Sequence, residues 1–185
     1  MAFTLTDGVR FHIGTALGTA VNLTAISNAD PAVATAPAHG LANGTPGVIR
    51  SGWEEINDSV GRVIDQASGT FKLEGLDTTD NILFPSGSGA GAFTPIASWV
   101  EVPALPEASP SGGEMQYADI SLLALRYDIK IPTRVSGATL DLTLATDTSL
   151  PTWKALTKIG RGNKTVPIRT TTADGSVSYG FGYFF

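Results

Sequence analysis

His12 and His39 are the only two histidines of the chain, and it has no cysteine. A catalytic or metal-binding histidine needs partners that share its proton or its cation. His39 lies instead in the segment TAPAHGLANG, where Gly40 and Gly44 permit positive φ and Asn43–Gly44 is a strong turn dipeptide. This pattern favours a structural turn made by His39, Gly40, Asn43 and Gly44, in which a ring nitrogen bonds to neighbouring backbone.

Two pairs of carboxylates, Glu54–Glu55 and Asp77 with Asp80, are the next candidates for chemistry. Adjacent acids on a strand point to opposite faces, so Glu54–Glu55 is poorly arranged for acid–base catalysis. The segment Asp77–Asp80, DTTD, has the composition of a turn whose side-chain oxygens bond to local backbone. A Ca²⁺ site would need more oxygen ligands than this stretch supplies.

The chain also lacks the motifs of the common enzyme classes. It contains no phosphate-binding GxGxxG or Walker pattern after a strand, no HExxH and no G-x-S-x-G elbow. Trp53 and Trp99 leave two interpretations open, a sugar-binding platform or aromatic residues of a core or interface, and scattered aromatics on short strands favour the second. We therefore expect no enzymatic activity, no cofactor and no metal.

Composition is typical of a β-rich domain with many turns. Of 185 residues, 42% are hydrophobic and only 16% charged, with 21 glycines and 11 prolines. The formal net charge of −5 argues against a nucleic-acid-binding surface, but it suits a surface that DNA must pass without adhering. No basic segment followed by an apolar run opens the chain, and no apolar stretch is long enough to span a membrane, so we expect no secretory signal and no membrane insertion.

The elements that would position these residues are mostly strands. Period-two alternation or short apolar runs bounded by Gly, Asn and Asp recur along the chain, with a hairpin signal at Ala173-Asp174-Gly175. One helix is predicted at about 150–159, with Ser149 as its cap, Gly160 as its end, and Lys158 and Arg161 near its C-terminus. The predicted strands are 21–26, 32–35, 46–50, 61–64, 70–73, 139–144, 166–171 and 177–183.

The run from Tyr117 to Ile131 is predicted as one long strand with a bend between Leu122 and Leu123, ended by Pro132. Two stretches, 85–91 and 103–113, are predicted as connections because they are rich in Gly, Ser and Pro. We expect the second to be ordered by a partner, and the segment 85–93 to act as the hinge of a module. The chain then divides into an N-terminal stretch, a module from about 25 to 93 and a β region from 94 to the end.

The segment from Ile26 to Asp80 resembles a β-module of bacteriophage tail proteins that carries the motif AHGL followed by NG. Downstream motifs resemble the same proteins in order and spacing, which extends the similarity to nearly the whole chain. The matching positions in the module include Asn28, Pro31, Val33, Thr35, His39-Gly40-Leu41, Asn43-Gly44, Ser51-Gly52-Trp53, Thr70-Phe71 and Gly75-Leu76-Asp77-Thr78-Thr79. Those downstream include Ser111-Gly112-Gly113-Glu114, Ile131-Pro132-Thr133, Leu150-Pro151 and Lys154-Ala155-Leu156.

This resemblance to the tail tube proteins of long-tailed phages implies an all-β fold with one α-helix. In that fold, 1–24 and 94–185 would form a β-sandwich with its helix near 150–160, and 25–93 would be a small inserted β-module. It implies a structural virion protein whose hexameric rings stack into a tube for DNA delivery. Its partners would be other copies of the chain, the tape-measure protein and transiting DNA in the lumen, and terminator and baseplate or tip proteins at the tube ends. Synthesis would take place in the bacterial host cytoplasm.

The residues expected to carry this function are assembly contacts. We expect the 103–114 loop to reach a neighbouring subunit or the next ring, with Pro103, Pro106, Pro110 and Glu114 as interface candidates. Two alternatives remain from the sequence: another virion ring protein similar to a tail terminator, or a carbohydrate- or receptor-binding virion module that uses Trp53 and Trp99.

Overall fold

The computed structural model describes residues 8–102, 107–120, 127–137, 139–143, 149–162 and 164–183. The chain divides into two compact units. The larger unit comprises Met1–Val102 and Thr148–Phe185, and the smaller comprises Pro103–Asp147. The division of the sequence at 24/25 and 93/94 into a sandwich and an inserted module stays a prediction.

The described residues form strands and one α-helix, which confirms the predicted all-β class with a single helix. A short 3₁₀ helix, Glu54–Ile56, lies between two strands, and the α-helix α1 is Pro151–Arg161. The strands are β1 (Arg10–Leu17), β2 (Val21–Leu23), β3 (Ala25–Ile26), β4 (Val33–Thr35), β5 (Pro46–Ser51), β6 (Ser59–Ile64), β7 (Thr70–Leu73), β8 (Gly91–Glu101), β9 (Glu107–Ser111), β10 (Met115–Ile120), β11 (Ile129–Val135), β12 (Thr139–Thr143), β13 (Thr165–Thr171) and β14 (Val177–Tyr183).

Antiparallel pairing joins ten strands of the larger unit. Their order is β14-β13-β1-β8-β5-β6-β7-β4-β3, and β2 also pairs with β8. The long strand β8 is central, because its ends pair with different neighbours: β1 at Ile96–Glu101, and β2 and β5 at Gly91–Pro95. The alternating segments predicted from the sequence are thus confirmed as strands, with Thr24 separating β2 from β3 in the segment predicted as one.

The hydrophobic core lies where β4, β6 and β7 meet β5 and β8. Phe71 and Phe93 are both fully buried, and their rings pack edge to face with centroids 5.3 Å apart. Gly47 lies directly against the ring of Phe93, where a β-carbon would collide with it. The remaining core members are mainly aliphatic and come from strands on both sides, including Leu23, Ile26, Ile49, Val63 and Leu73.

Helix α1 corrects two details of the sequence prediction. Its N-cap is Leu150 rather than Ser149, because Pro151 at the first helical position holds the preceding residue in an extended conformation. Its C-cap is Gly162, so the helix runs through Gly160 and ends at Arg161. Glycine also accepts right-handed helical φ and ψ, so its presence alone does not end a helix.

The smaller unit corrects the prediction of one strand from Tyr117 to Ile131. Two antiparallel strands, β10 and β11, pair with each other from Met115↔Val135 to Ile120↔Ile129. The predicted bend at Leu122 and Leu123 falls outside the described residues. Pro132 does not end a strand: it lies within β11 opposite Tyr117, next to a register shift. Proline is tolerated at such irregularities and on strands that are paired on one side only.

The 103–113 connection is also corrected in part. Residues Glu107–Ser111 form β9, which pairs antiparallel with β12 from Ser111↔Thr139 to Glu107↔Thr143. Pro110 lies opposite Leu140 in this two-stranded sheet. Proline is tolerated there because each strand is paired on one side only among the described residues, and an edge strand can omit an N–H donor.

Candidate assembly surfaces

His39 uses both of its ring nitrogens on backbone. Leu41 N–H donates to Nδ1 over 3.0 Å, which fixes the proton on Nε2, and Nε2 lies 2.8 Å from the carbonyl oxygen of Ala67. The ring is 9% exposed and packs edge to face on Phe71 at 5.1 Å. Gly40 has φ +61 beside it. An imidazole with both nitrogens committed in this way has no lone pair left for a metal or a substrate proton.

The Asn43–Gly44 turn continues from His39. Gly44 has φ +85 and its N–H donates to the carbonyl oxygen of Val63, while Asn43 Oδ1 accepts a hydrogen bond from the N–H of Gln66. An open groove lies beside His39, lined by residues 19–22 and 37–41, by Thr24 and by Pro95. Because the imidazole is committed to backbone, His39 supplies this groove with no free base.

The acidic candidates lie on the surface and hold turns. Asp77 Oδ1 accepts hydrogen bonds from the N–H and the hydroxyl of Thr79. Both bonds lower the pKa of Asp77, and the bond from the hydroxyl has the larger effect. Asp80 Oδ1 accepts from the N–H of Ile82 over 2.8 Å. Glu54 and Glu55 are exposed on the 3₁₀ helix between buried Trp53 and Ile56. Among the described residues, no group of three potential metal ligands comes together.

Thr78 is the buried residue that ties the DTTD turn to the sheet. It is fully buried, and its hydroxyl lies 2.7 Å from the carbonyl oxygen of Ser27 and 3.1 Å from the N–H of Ala29. The Asn28 amide donates to the carbonyl oxygens of Thr78 and Phe84. The turn is therefore rigid at its base, as expected for Asp and Thr oxygens that satisfy local backbone.

Trp53 belongs to the core. It is 1% exposed, its Nε1 donates to the carbonyl oxygen of Pro85 over 2.8 Å, and its ring packs edge to face on Phe84 at 5.3 Å. A β-carbon on Gly89 would lie 2.8 Å from this ring, so the glycine permits the 85–90 loop to lie flat on the indole. Trp53 is therefore unavailable as a sugar platform.

Trp99 takes part in an arrangement that the sequence analysis missed. The guanidinium of Arg169 lies 5.0 Å from the Trp99 ring centroid. The ring of Tyr179, the cross-strand partner of Arg169 on β14, lies 6.2 Å from the Trp99 ring, centroid to centroid. His12 is the cross-strand partner of Arg169. The pKa of His12 is lowered, first by burial and second by the positive charge of Arg169. The negative charge of Glu101 acts in the opposite direction. These residues are far apart in sequence, so only strand register brings them together.

The four interface candidates of the 103–114 stretch are distributed unevenly. Pro103 and Pro106 fall outside the described residues. Pro110 lies in β9. Glu114 is exposed in the turn before β10, and its N–H donates to the Ser136 hydroxyl oxygen over 2.9 Å. Their contact with a neighbouring subunit stays a prediction.

The paired strands β10 and β11, together with Tyr127 just before β11, form an exposed ribbon with large apolar side chains. Two-stranded ribbons are marginal in water without further packing, and neither ribbon of this unit gains a third strand among the described residues. Clustered exposed apolar residues mark interaction sites. The residues concerned are between 39% and 69% exposed and are Met115, Tyr117, Ile120, Tyr127, Ile131 and Val135.

Comparison with known proteins agrees with a structural role. No curated protein and no solved structure matches the chain. Across the described residues, no helix has the length and apolar character needed to cross a bilayer. The family model described as phage tail tube protein, TTP, matches residues 51–184, from the Trp53 loop through β14. The chain therefore belongs to the phage tail tube protein family and is a structural component of the virion tail.

Proposed function

We propose that this protein is the repeating subunit of a tail tube, in which hexameric rings stack into a hollow conduit for DNA delivery. In this role six copies close a ring, and the tape-measure protein occupies the lumen before DNA does. Terminator and baseplate or tip proteins bind the ends of the tube. The subunits are made in the host cytoplasm and join the virion as part of the tail.

The observation that carries this proposal is the smaller unit with its exposed apolar ribbon. Met115, Tyr117 and Val135 are each at least 46% exposed on strands whose outer edges are unpaired within the described residues. Free edges and apolar faces are liabilities for a protein that remains a monomer, and assembly into a closed ring removes both. We expect each pair of subunits to bury well above ~2,000 Å², as obligate interfaces do.

Charge supports the role of a conduit. The chain has 17 acidic and 12 basic side chains, so a tube of many copies is strongly anionic. A lumen of that sign repels the phosphate backbone and prevents transiting DNA from binding. We place the 25–93 module on the outside of the tube or at the junction of neighbouring subunits, with His39 in its scaffold.

The test is negative-stain electron microscopy of the purified chain at rising concentration, with mass photometry of the same samples. The proposal predicts hollow rings or tubes with six-fold end views. A monodisperse monomer at high concentration would overturn it. A ring that never stacks would indicate a protein similar to a terminator, which differs in stoichiometry rather than in fold.

The carbohydrate-binding alternative is disfavoured by the burial of Trp53 and by the contact of Trp99 with Arg169. A glycan array tests it directly. Binding to a defined glycan that is lost on Trp99→Ala would restore this alternative.

A further inference from the structure

Charge is strongly segregated along the chain. Residues 148–173 contain five basic side chains and no acidic one, whereas residues 25–93 contain eight acidic and three basic side chains. All three bases of the acidic segment are already paired within it, so the segment keeps an excess of free carboxylates. The pairs are Arg50 with Asp58, Arg62 with Glu74 and Lys72 with Asp65.

The basic residues of α1 form a cationic stripe, Lys154, Lys158 and Arg161. Spacings of four and three residues place them on one helix face, over ~10 Å at 1.5 Å per residue. Leu156, on the opposite face, is 3% exposed and anchors the helix. All three cations are exposed, and none forms an ion pair with a described carboxylate.

An acidic loop surface lies in the other segment, formed by Glu54, Glu55, Asp80, Ile82 and Leu83. Ile82 and Leu83 are 88% and 50% exposed and form an apolar tip shortly after Asp80; Asp80, Glu54 and Glu55 are exposed as well. Buried residues next to this surface hold its backbone in place. The N–H of Phe84 donates to the carbonyl oxygen of Asp80 over 2.9 Å, and the Phe84 ring packs on Trp53, which directly precedes Glu54.

We infer that the cationic stripe of one copy binds the acidic loop surface of a second copy. This inference rests on the proposed function and assigns one of its subunit contacts. The two surfaces are complementary in charge, and the exposed apolar tip supplies the buried centre that a specific interface needs. Because they are different surfaces of one chain, the contact is head-to-tail, which is the kind that closes rings or extends stacks.

Duplex DNA is the competing partner for three cations in a row. DNA binding would explain only the cationic stripe. It would not account for the exposed Ile82 or for the acidic residues of the loop surface. A self-contact uses both surfaces at once. It also predicts that assembly weakens as salt rises, since ~1 M salt reduces the screening length to ~3 Å.

The test uses two charge-reversal variants, Glu54→Lys/Glu55→Lys and Lys154→Glu/Lys158→Glu. In a sample of one variant alone, the helix stripe and the loop surface carry the same sign of charge and repel each other. We therefore expect each variant to raise the concentration at which rings or tubes form by at least about tenfold. Mixed in equal amounts, the two variants again present opposite charges to each other, so assembly should return near the wild-type concentration. The formal net charge of both variants stays negative, so rescue on mixing is not expected from net charge alone.

Lys154→Arg/Lys158→Arg is the matched control, which keeps the charge of the stripe and should assemble as the wild type does. Circular dichroism checks that every variant is folded. Assembly of both reversal variants at the wild-type concentration, or loss in both without rescue on mixing, overturns the contact while the proposed function stands. If only the helix variant fails and the wild type retards duplex DNA in a gel, the stripe binds DNA instead. A wild type that forms neither rings nor tubes overturns the proposed function and the inference with it.

Discussion

Replacing Thr78 by valine tests whether the DTTD turn is held by one buried hydroxyl. Valine has nearly the same shape, so the change removes hydrogen bonds and little else. The hydroxyl lies 2.7 Å from the carbonyl oxygen of Ser27 and 3.1 Å from the N–H of Ala29, and Thr78 is fully buried. Ser27 and Ala29 are half-buried, so each of their two backbone groups left without a partner costs about 1–2 kcal/mol, the lower part of the range for a buried group. Thr78→Val should therefore lower the free energy of unfolding by about 2–4 kcal/mol.

Calorimetry of subunits kept dispersed below their assembly concentration measures this effect. For a chain of this size, 1 kcal/mol corresponds to about 2–4 °C in Tm, so we expect a decrease of roughly 5–15 °C. Thr79→Val is the matched control. The Thr79 hydroxyl donates to Asp77 at the surface, where its loss costs about 0.5 kcal/mol or less. Amide exchange at Ala29 should accelerate in the first variant and not in the second.

Equal Tm values for the two variants would refute this reasoning. That result would mean that water reaches Ser27 and Ala29 once the hydroxyl is gone, so the site is not desolvated in solution. Unchanged exchange at Ala29 together with a large fall in Tm would instead place the effect elsewhere in the fold.

Three further predictions concern the backbone and pH. Gly91→Ala places a β-carbon against the Arg50 carbonyl oxygen and should destabilise the fold by about 3 kcal/mol or more in urea unfolding, whereas Gly69→Ala, which meets nothing, should be near neutral. Ala38→Gly should raise Tm, since Ala38 holds φ +55 at a cost of about 1 kcal/mol, and an unchanged Tm would contradict that strain. The pKa of His12 is lowered from 6.5 by burial first, so stability should be complete above that pH and fall as pH drops below it. His12→Gln should show a shallower decline in Tm between pH 7 and pH 5, and an identical slope would rule out His12 as the cause.

Local sequence pattern predicted the strands well wherever the hydrophobic alternation was uninterrupted. β7 and β14 match their predicted limits because alternation and flanking turn residues specify both. The division into β10 and β11 was missed because the run from Tyr117 to Ile131 contains no Gly, Pro or Asn, so the sequence shows no strong turn signal. β9 was missed because the sequence EASPS has little strand propensity of its own, and its pairing with β12 is non-local.

The surfaces were less accessible to sequence reasoning than the fold. The family motifs pointed to assembly, and the family match agrees. Residue type alone, however, does not determine which side chains are exposed, because exposure depends on how the surrounding chain packs. Ile82 reads as a core residue in sequence and is 88% exposed, whereas Thr78, four residues earlier, reads as a surface residue and is fully buried. The contact of Arg169 with Trp99 depends on the register of β8, β1 and β13 together, which no local pattern encodes.

Rigidity beneath the proposed contact surfaces has a direct energetic consequence. Each exposed charged or apolar group stands within a few residues of a buried anchor: Glu54 beside Trp53, Ile82 between Thr78 and Phe84, and Lys154 and Lys158 around Leu156. Ordering a mobile loop on binding costs free energy that a preformed surface does not lose. In the proposed tube, weak and screened charge pairs would therefore be sufficient to select the orientation of subunits, while larger apolar surfaces such as the β10–β11 ribbon would supply the affinity.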